Sequence, residues 1–399
     1  MIIKLLFWIC LAGIIYTYFG YGIILWIISQ IKHLYASINH RVSDKNELSA
    51  EPHVSLLIPA YNEQPYIPQK IANSRNLDYP SKKLHQVWIT DGSDDGSDEL
   101  LRTYPEVTLL HKHERTGKIG AINRGMHYIK TPVVIFTDAN TMLHQDTVRE
   151  IVYAFRDPEV GCVAGEKRIK VRKQEGAVNS GEGIYWQIES LIKQVESKVG
   201  SVMGAAGELF AIRTELFQPV EPDTLLDDFI ISLRIAKQGY KTKYAPKAFG
   251  EENASISIKE EMKRKIRIAA GGLQAISRLK ALLNPFKYGF LSLQFISHKV
   301  LRWTFVPFAI ILLFISNLLI VLQYGFEPAG FYFYFFMLQI FYYIMVVVGS
   351  LLQNRKLAYK LVFAPYYVFI MNYSILAGYI KYFFGKQTVN WEKAKRNPL

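Results

Sequence analysis

Polar and apolar positions divide the chain into three zones. Leu5 to Ile31 carry no charge, and Leu301–Leu322, Phe331–Leu352 and Leu361–Phe384 are again almost continuously apolar, with Pro307, Pro365 and Lys381 as internal irregularities. Runs of about 20 apolar residues cross a bilayer as helices, so the pattern predicts one N-terminal and about three C-terminal transmembrane helices. The first run is longer than the ~7–15-residue core of a cleaved leader and ends in no small-residue cleavage site, which makes it an anchor.

The middle zone alternates between two periods. Val54–Ile58, Gln86–Thr90, Val107–His111 and Val133–Thr137 are short apolar runs with the length of strands. Between and after them, Ile119, Ile122, Met126 and Ile129, then Val148, Ile151, Val152 and Phe155, recur at helical spacing. Strands apolar on both faces, separated by helices, predict an α/β fold with a Rossmann-like, mostly parallel sheet covered on both sides. From Ser257 a basic amphipathic stretch begins, with Glu260 at capping-box spacing and Ile258, Met262 and Ile266 on one face. The expected organisation is an anchor over 1–31, a cytoplasmic domain over 32–256, interfacial amphipathic helices over 257–300, transmembrane segments over 301–384 and a basic tail over 385–399.

Composition supports a membrane protein: half of the residues (50%) are hydrophobic and 20% charged. The net charge of +13 would suit nucleic acid, but the basic residues crowd beside the apolar runs, at Lys32, Arg41, Lys259 to Arg267, Arg278, Lys280, Lys287, Lys299 and Arg302. That is the positive-inside pattern, so nucleic acid is set aside and the central domain is placed in the cytoplasm. Arg355, Lys356 and Lys360 fall inside by the same rule, and the Gln323–Gly330 turn outside. The tail, with Lys386, Lys393, Lys395 and Arg396, lies outside if all three C-terminal segments cross and inside if the Pro365 segment is re-entrant. Cys10 and Cys162 give no disulfide framework or zinc spacing, and no dinucleotide or Walker loop is present.

Ligands of such sheets bind beyond the carboxyl ends of the strands, where "PAYNE", "TDGSDDGS" and "TDANT" collect. Asp138 and Asn140 offer oxygen donors for a hard cation such as Mg²⁺ or Mn²⁺, although Asp and Asn also favour turns. Asp98 could cap the helix that follows it. "DDFIISLRIAKQG" can be read as a helix capped by Asp227 and stopped by Gly239.

Together "PAYNE" (59–63), "TDGSDDGS" (90–97), "RTGKIGAIN" (115–123), "FTDANT" (136–141), "LLDDF" (225–229) and "RKIRIAAGG" (264–272) have the order and rough spacing of the family-2 glycosyltransferases. The chain resembles their membrane-embedded polysaccharide synthases, which include cellulose, hyaluronan and poly-N-acetylglucosamine synthases. The resemblance covers about residues 52–305. It implies a nucleotide-diphospho-sugar transferase fold and an inverting, metal-dependent hexosyltransferase of a bacterial inner membrane, extending and translocating a polysaccharide. By similarity, Tyr61, Glu63 and Asp91 hold the uridine of a UDP-sugar donor, Lys118 lies near the donor, and Arg267 faces the diphosphate. Asp138 and Asn140 take the positions of the Asp-x-Asp metal motif, with a charge lost at Asn140. Asp228 is the base acting on the acceptor hydroxyl, and Gly204 and Gly207 lie near the acceptor, a growing glycan or a lipid.

The family's Gln-x-x-Arg-Trp keeps its arginine as Arg267, but its glutamine and tryptophan positions hold Arg264 and Ile268. The usual aromatic platform for the acceptor is therefore absent; Tyr185 and Trp186 are another aromatic pair, more suited to core packing. The loss favours a second expectation, transfer of one sugar to a lipid acceptor. A non-catalytic export subunit is a third, opposed by the intact Asp91, Lys118, Asp138 and Asp228. Beyond donor, acceptor and membrane lipid, the resemblance points to no protein partner.

Overall fold

The computed structural model of the chain describes residues 1–38, 51–170, 177–253, 257–324, 330–352 and 360–385. Arg41, Arg355, Lys356, the side chain of Tyr185 and the basic tail from Lys386 lie outside the described residues.

Among the described residues eight strands make one sheet: β1 (Val54–Ala60), β2 (Leu84–Asp91), β3 (Val107–Lys112), β4 (Val133–Thr137), β5 (Met142–Leu143), β6 (Val160–Lys170), β7 (Leu209–Arg213) and β8 (Lys241–Asn253). Their order is β3-β2-β1-β4-β7-β6-β8-β5. The four strands expected from the sequence pair in parallel as β3-β2-β1-β4, while β7 runs antiparallel between β4 and β6. Because β2 lies on one side of β1 and β4 on the other, the winding reverses at β1, which opens a crevice at the carboxyl ends.

The helices number α1 (Ile2–Ile15), α2 (Tyr21–Ile38), α3 (Ile67–Arg75), α4 (Ser97–Arg102), α5 (Gly117–Met126), α6 (Thr147–Ala154), α7 (Ala177–Val199), α8 (Asp227–Lys237), α9 (Ile258–Arg278), α10 (Pro285–Phe295), α11 (Leu301–Thr304), α12 (Val306–Tyr324), α13 (Phe331–Leu352) and α14 (Lys360–Phe383). The alternation of side chains across a strand sends Leu57, Val134 and Phe136 to one face of the sheet, against Ile119, Ile122 and Met126 of α5 and Phe229, Ile230 and Leu233 of α8. Leu56, Ile58, Val133 and Ile135 go to the other, against Ile67 and Ile71 of α3 and Val148, Ile151 and Val152 of α6. Each such fully buried aliphatic side chain contributes about 1.5–3 kcal/mol, so the parallel strands form a rigid base for the loops at their ends.

Among the described residues three helical stretches are long and apolar enough to span a membrane: Ile2–Tyr35, Val306–Tyr324 and Phe331–Leu352. The third C-terminal crossing expected from the sequence is not among them. That segment is helical as α14, but it carries Pro365, Asn372 and Lys381 and packs lengthwise on α9. Gly378 permits the contact: a Cβ there would come 2.6 Å from Ala269 Cβ and 3.0 Å from Ala270 N. α9 begins at its expected cap, with Glu260 N donating to Ser257 Oγ, and its Ala269–Leu273 stretch is buried.

Candidate active site

The motif loops are laced to one another. Asn62, at φ 54 in the left-handed region, exchanges hydrogen bonds with Asp94: its Nδ2 donates to Asp94 Oδ1 (2.7 Å) and its Oδ1 accepts from Asp94 N (3.0 Å). Glu63 N donates to Ser97 Oγ (3.1 Å) and Gln64 N to Asp95 Oδ2 (3.0 Å). α4 starts with Gly96 at its cap, and Asp95, rather than Asp98, accepts from Ser97 N. Asp91 ends β2 and ties in the third loop: its carboxylate accepts from Thr116 N (2.9 Å), Thr116 Oγ1 (2.6 Å) and Gly117 N (2.7 Å). Its observed contacts thus hold the start of α5. Pro59, Ala60, Tyr61, Asp91, Arg115, Gly117, Lys118 and Ala121 line the cleft above the switch point, and the Arg115 guanidinium stacks 3.7 Å from the Tyr61 ring centre. Glu63 is buried beside it, 5% exposed.

Lys118, one residue into α5, reaches across the crevice to the end of β4. Its Nζ donates to Asp138 Oδ1 (2.7 Å) and lies 4.0 Å from Asp227 Oδ2. Burial alone would lower the lysine pKa; Asp138, Asp227 and Asp228 outweigh that and raise it, so Lys118 stays charged. Asp227 opens α8 as its first residue, with Leu226 at the cap, so the expected Asp227 cap is not formed; Gly239, at φ +99, follows the end of the helix as expected. Asp228 stands opposite Gly207: a Cβ on Gly207 would lie 3.5 Å from Asp228 Oδ2 and 3.5 Å from Lys118 Nζ. Burial first, then the neighbouring Asp227, pushes Asp228 well above the usual carboxylate range. Gly204, at φ +92, turns the chain where a side chain would strike the Phe229 ring.

The "TDANT" segment is both a turn and part of this site. Thr141 N donates to Asp138 O (3.1 Å), and the half-buried Asn140 carboxamide has no hydrogen-bond partner among the described residues. Beneath it lies a network that the motifs did not announce. Fully buried Lys70 donates to Thr137 Oγ1 (3.1 Å) and to the Thr141 carbonyl. Thr141 Oγ1 donates to Glu252 Oε1 (2.6 Å), and Lys167 bridges Glu252 (2.9 Å) to Glu208. Ile67, Lys70, Ile71 and Ser74 share the inward face of α3, and Ala248, Gly250 and Glu252 alternate inward on β8, so periodicity was the available signal.

Arg267 is half-buried and has no hydrogen-bond or ion-pair partner among the described residues. It shares a helix face with Gly271, one turn later, and a Cβ on Gly271 would meet Leu226 at 2.6 Å. Arg267 therefore sits one turn from the contact with the start of α8. Ile268 packs against the core. Trp186 is flanked by Lys167, Lys193 and Lys265 at 5.4, 5.5 and 6.0 Å.

No cluster of three or more His, Cys, Asp or Glu side chains fit to hold a metal occurs among the described residues. Asp138 Oδ2 and the Asn140 carbonyl can supply two oxygens. That suits Mg²⁺ or Mn²⁺, which take one or two protein ligands and complete their shell with phosphate oxygens and water.

The mixed sheet, its switch-point crevice and the polar loops at the carboxyl ends define a nucleotide-sugar transferase fold. Residues 52–271 match the family described as "Glycosyltransferase like family 2", and the chain belongs to it. It is 24% identical over 266 residues to a poly-beta-1,6-N-acetyl-D-glucosamine synthase of Staphylococcus aureus, covering 64% of each chain, so the alignment spans less than two thirds of that relative. A poly-beta-1,6-N-acetyl-D-glucosamine synthase of Staphylococcus epidermidis is 23% identical over 346 residues, 83% of each. Among solved structures, a mannosyltransferase from Pyrobaculum calidifontis in complex with GDP-Man and Mn²⁺ has the same fold, with a TM-score of 0.64 and 22% identity over 96% of this chain and 100% of that one.

Proposed function

We propose that this protein is an inverting glycosyltransferase that moves a sugar from a UDP-activated donor, with N-acetylglucosamine the leading candidate, to a growing glycan at the cytoplasmic face of a bacterial inner membrane. The observation that carries the reading is the placement of Asp228, which faces both Gly207 and the Lys118–Asp138 pair across the crevice. Burial and Asp227 raise its pKa, which suits a base that must accept a proton near neutral pH. The acceptor hydroxyl, beside Gly204 and Gly207, loses its proton to Asp228 as its oxygen bonds to the anomeric carbon. The bond from that carbon to the diphosphate breaks on the opposite side, and UDP leaves with the electron pair.

Tyr61, Glu63 and Asp91 form the nucleoside end of the cleft in this reading, and Lys118 and Arg267 supply positive charge to the diphosphate. Asp138 and Asn140 would hold Mg²⁺ or Mn²⁺, which when bound neutralises charge on the departing diphosphate. Relatives that make poly-N-acetylglucosamine support a polymer product, carried outward through the chain's own helices. The membrane segments, with Lys32, Lys299 and Arg302 on the domain side, support cytoplasmic catalysis.

Transfer of a single sugar to a lipid acceptor is the second reading, favoured by Ile268, whose packing against the core leaves no tryptophan platform at that position. Incubation of the detergent-purified protein with labelled UDP-N-acetylglucosamine and Mg²⁺ or Mn²⁺, followed by sizing of products, tests both. Long polymer supports the first reading, one-sugar products the second, and metal-independent turnover removes the role given to Asp138 and Asn140.

A further inference from the structure

Two π-helical turns interrupt the membrane-proximal helices, Tyr16–Gly20 between α1 and α2 and Ile296–Val300 between α10 and α11. Although they come from opposite ends of the chain, they touch: Tyr16 OH and Ser297 Oγ are 2.7 Å apart, and the Tyr21 and His298 rings are 5.7 Å apart. A π turn costs regular helical hydrogen bonding and re-aims the side chains beyond it. Here the re-aimed groups meet one carboxylate. Glu196 of α7 is 0% exposed; its Oε1 accepts from Tyr21 OH (2.5 Å) and lies 2.7 Å from His298 Nδ1, while its Oε2 accepts from Met203 N (3.1 Å).

Met203 precedes Gly204 in the segment that leads to Gly207 and Asp228. The same segment is held at two further points. Gln294 of α10 grips Ser201, accepting from its N–H (3.3 Å) and donating to its carbonyl (3.0 Å). Ser232 Oγ of α8 accepts from Ala205 N (3.1 Å) and donates to the Asp228 carbonyl (2.7 Å). A second buried carboxylate, Glu189, fixes the C-terminal side of the junction through Lys299 (2.7 Å) and Arg302 (3.0 Å).

We propose that Glu196 is a positioning residue that fixes the acceptor-facing Ser201–Gly207 segment to the membrane helices. The inference rests on the acceptor role given above to Gly204 and Gly207. The carboxylate contacts α2, the π turn before α11 and this segment together, so a displacement of either helix reaches the backbone of the segment through it. A buried charge with three partners resists such displacement, because losing one partner leaves the carboxylate incompletely satisfied.

The test uses the full chain in detergent and the variants Glu196→Gln, Glu196→Ala and Tyr21→Phe. UDP affinity, amide hydrogen exchange over 201–207, and kcat and KM for a β-1,6-linked N-acetylglucosamine oligosaccharide are measured on each. Loss of a hydrogen bond to a buried charge should raise exchange at Met203 and the acceptor KM about tenfold in Glu196→Ala and about threefold in Tyr21→Phe. Glu196→Gln should recover part of the loss, since its carbonyl can still accept from Met203 N. UDP affinity should stay within about twofold, as no cleft residue is touched. Unchanged exchange over 201–207 in Tyr21→Phe and Glu196→Gln, or a fall in kcat at constant KM, overturns the proposal. A wild-type protein that binds no UDP would instead overturn the donor assignment, and the exchange comparison would still decide whether Glu196 holds the segment.

Discussion

At the scale of single residues, the site is a charge balance set by burial. Lys70 shows this most simply. Burial lowers its pKa from 10.5 to about 7, against the opposing pull of Asp138 and Glu252. Between about pH 7 and 10.5 the unfolded chain therefore holds a proton that the folded chain has released, so stability rises with pH across that window. Unfolding midpoints measured in chelator at pH 7.5 and 9.5 should increase for wild type and lose that increase in Lys70→Met; an equal slope in both would contradict the assignment. Asp138 and Asp228 were singled out by the sequence because each sits in a motif that other motifs support. Lys70 and Glu252 were not, since a charged residue in a helix or strand ordinarily faces water. Only their place on inward-facing stripes distinguished them, and a stripe with one charge in it is easily taken for an imperfect apolar face.

At the scale of elements, the loops are shaped by a few backbone requirements. Gly204 combines φ +92 with the Phe229 ring at the site of a Cβ, whereas Gly239 has φ +99 with open space around it. Gly204→Ala should cost more than Gly239→Ala, with left-handed strain on the order of 1–3 kcal/mol in each and a steric term only in the first. Thermal unfolding of the two variants compares them directly, and equal losses would show that the ring yields freely. The strands β1 to β4 were visible as apolar runs, and the structure places them where the runs lie. The antiparallel insertion of β7 beside β4 was not visible, because partner and direction are chosen by tertiary contacts rather than by local pattern. The Asp227 cap failed for a related reason: α8 begins one residue early, and Asp227 turns toward Lys118 instead of toward its own helix.

At the scale of the whole molecule, the core beside the sheet extends to α10, α11 and α14 through Phe295, Trp303 and Ile375, while α1, α12 and α13 pack together in a cluster of their own. The 34-residue helical stretch Ile2–Tyr35, α1 and α2 joined through the Tyr16–Gly20 π turn, would reach about 51 Å, beyond the ~30 Å apolar thickness of a bilayer. Its C-terminal part accordingly packs on α7 through Tyr21, Leu25 and Val199. At its N-terminal end Trp8 stacks on Phe331, and Lys4 lies 4.1 Å from the Tyr324 ring centre, so the start of α1 lies beside the end of α12 and the start of α13. Three of the four expected spans were legible from apolar length alone. The placement of α14 along α9 was not, because a helix that covers another helix and one that crosses lipid are both apolar. Gly378→Leu tests this: it should separate α14 from α9, displace Arg267 and lower both thermal stability and turnover, while a neutral result would indicate an independent lipid-facing helix.

The assignment of Asp228 as the base is the point on which the chemistry depends. Steady-state UDP release from the preferred UDP-sugar, with acceptor present, should fall about 10²–10⁴-fold in Asp228→Asn. UDP affinity should be retained, and in wild type the rate should rise with pH through a midpoint above the 3.8 of an ordinary aspartate. Turnover in Asp228→Asn within a few-fold of wild type, or an acid limb at that ordinary value, would contradict it.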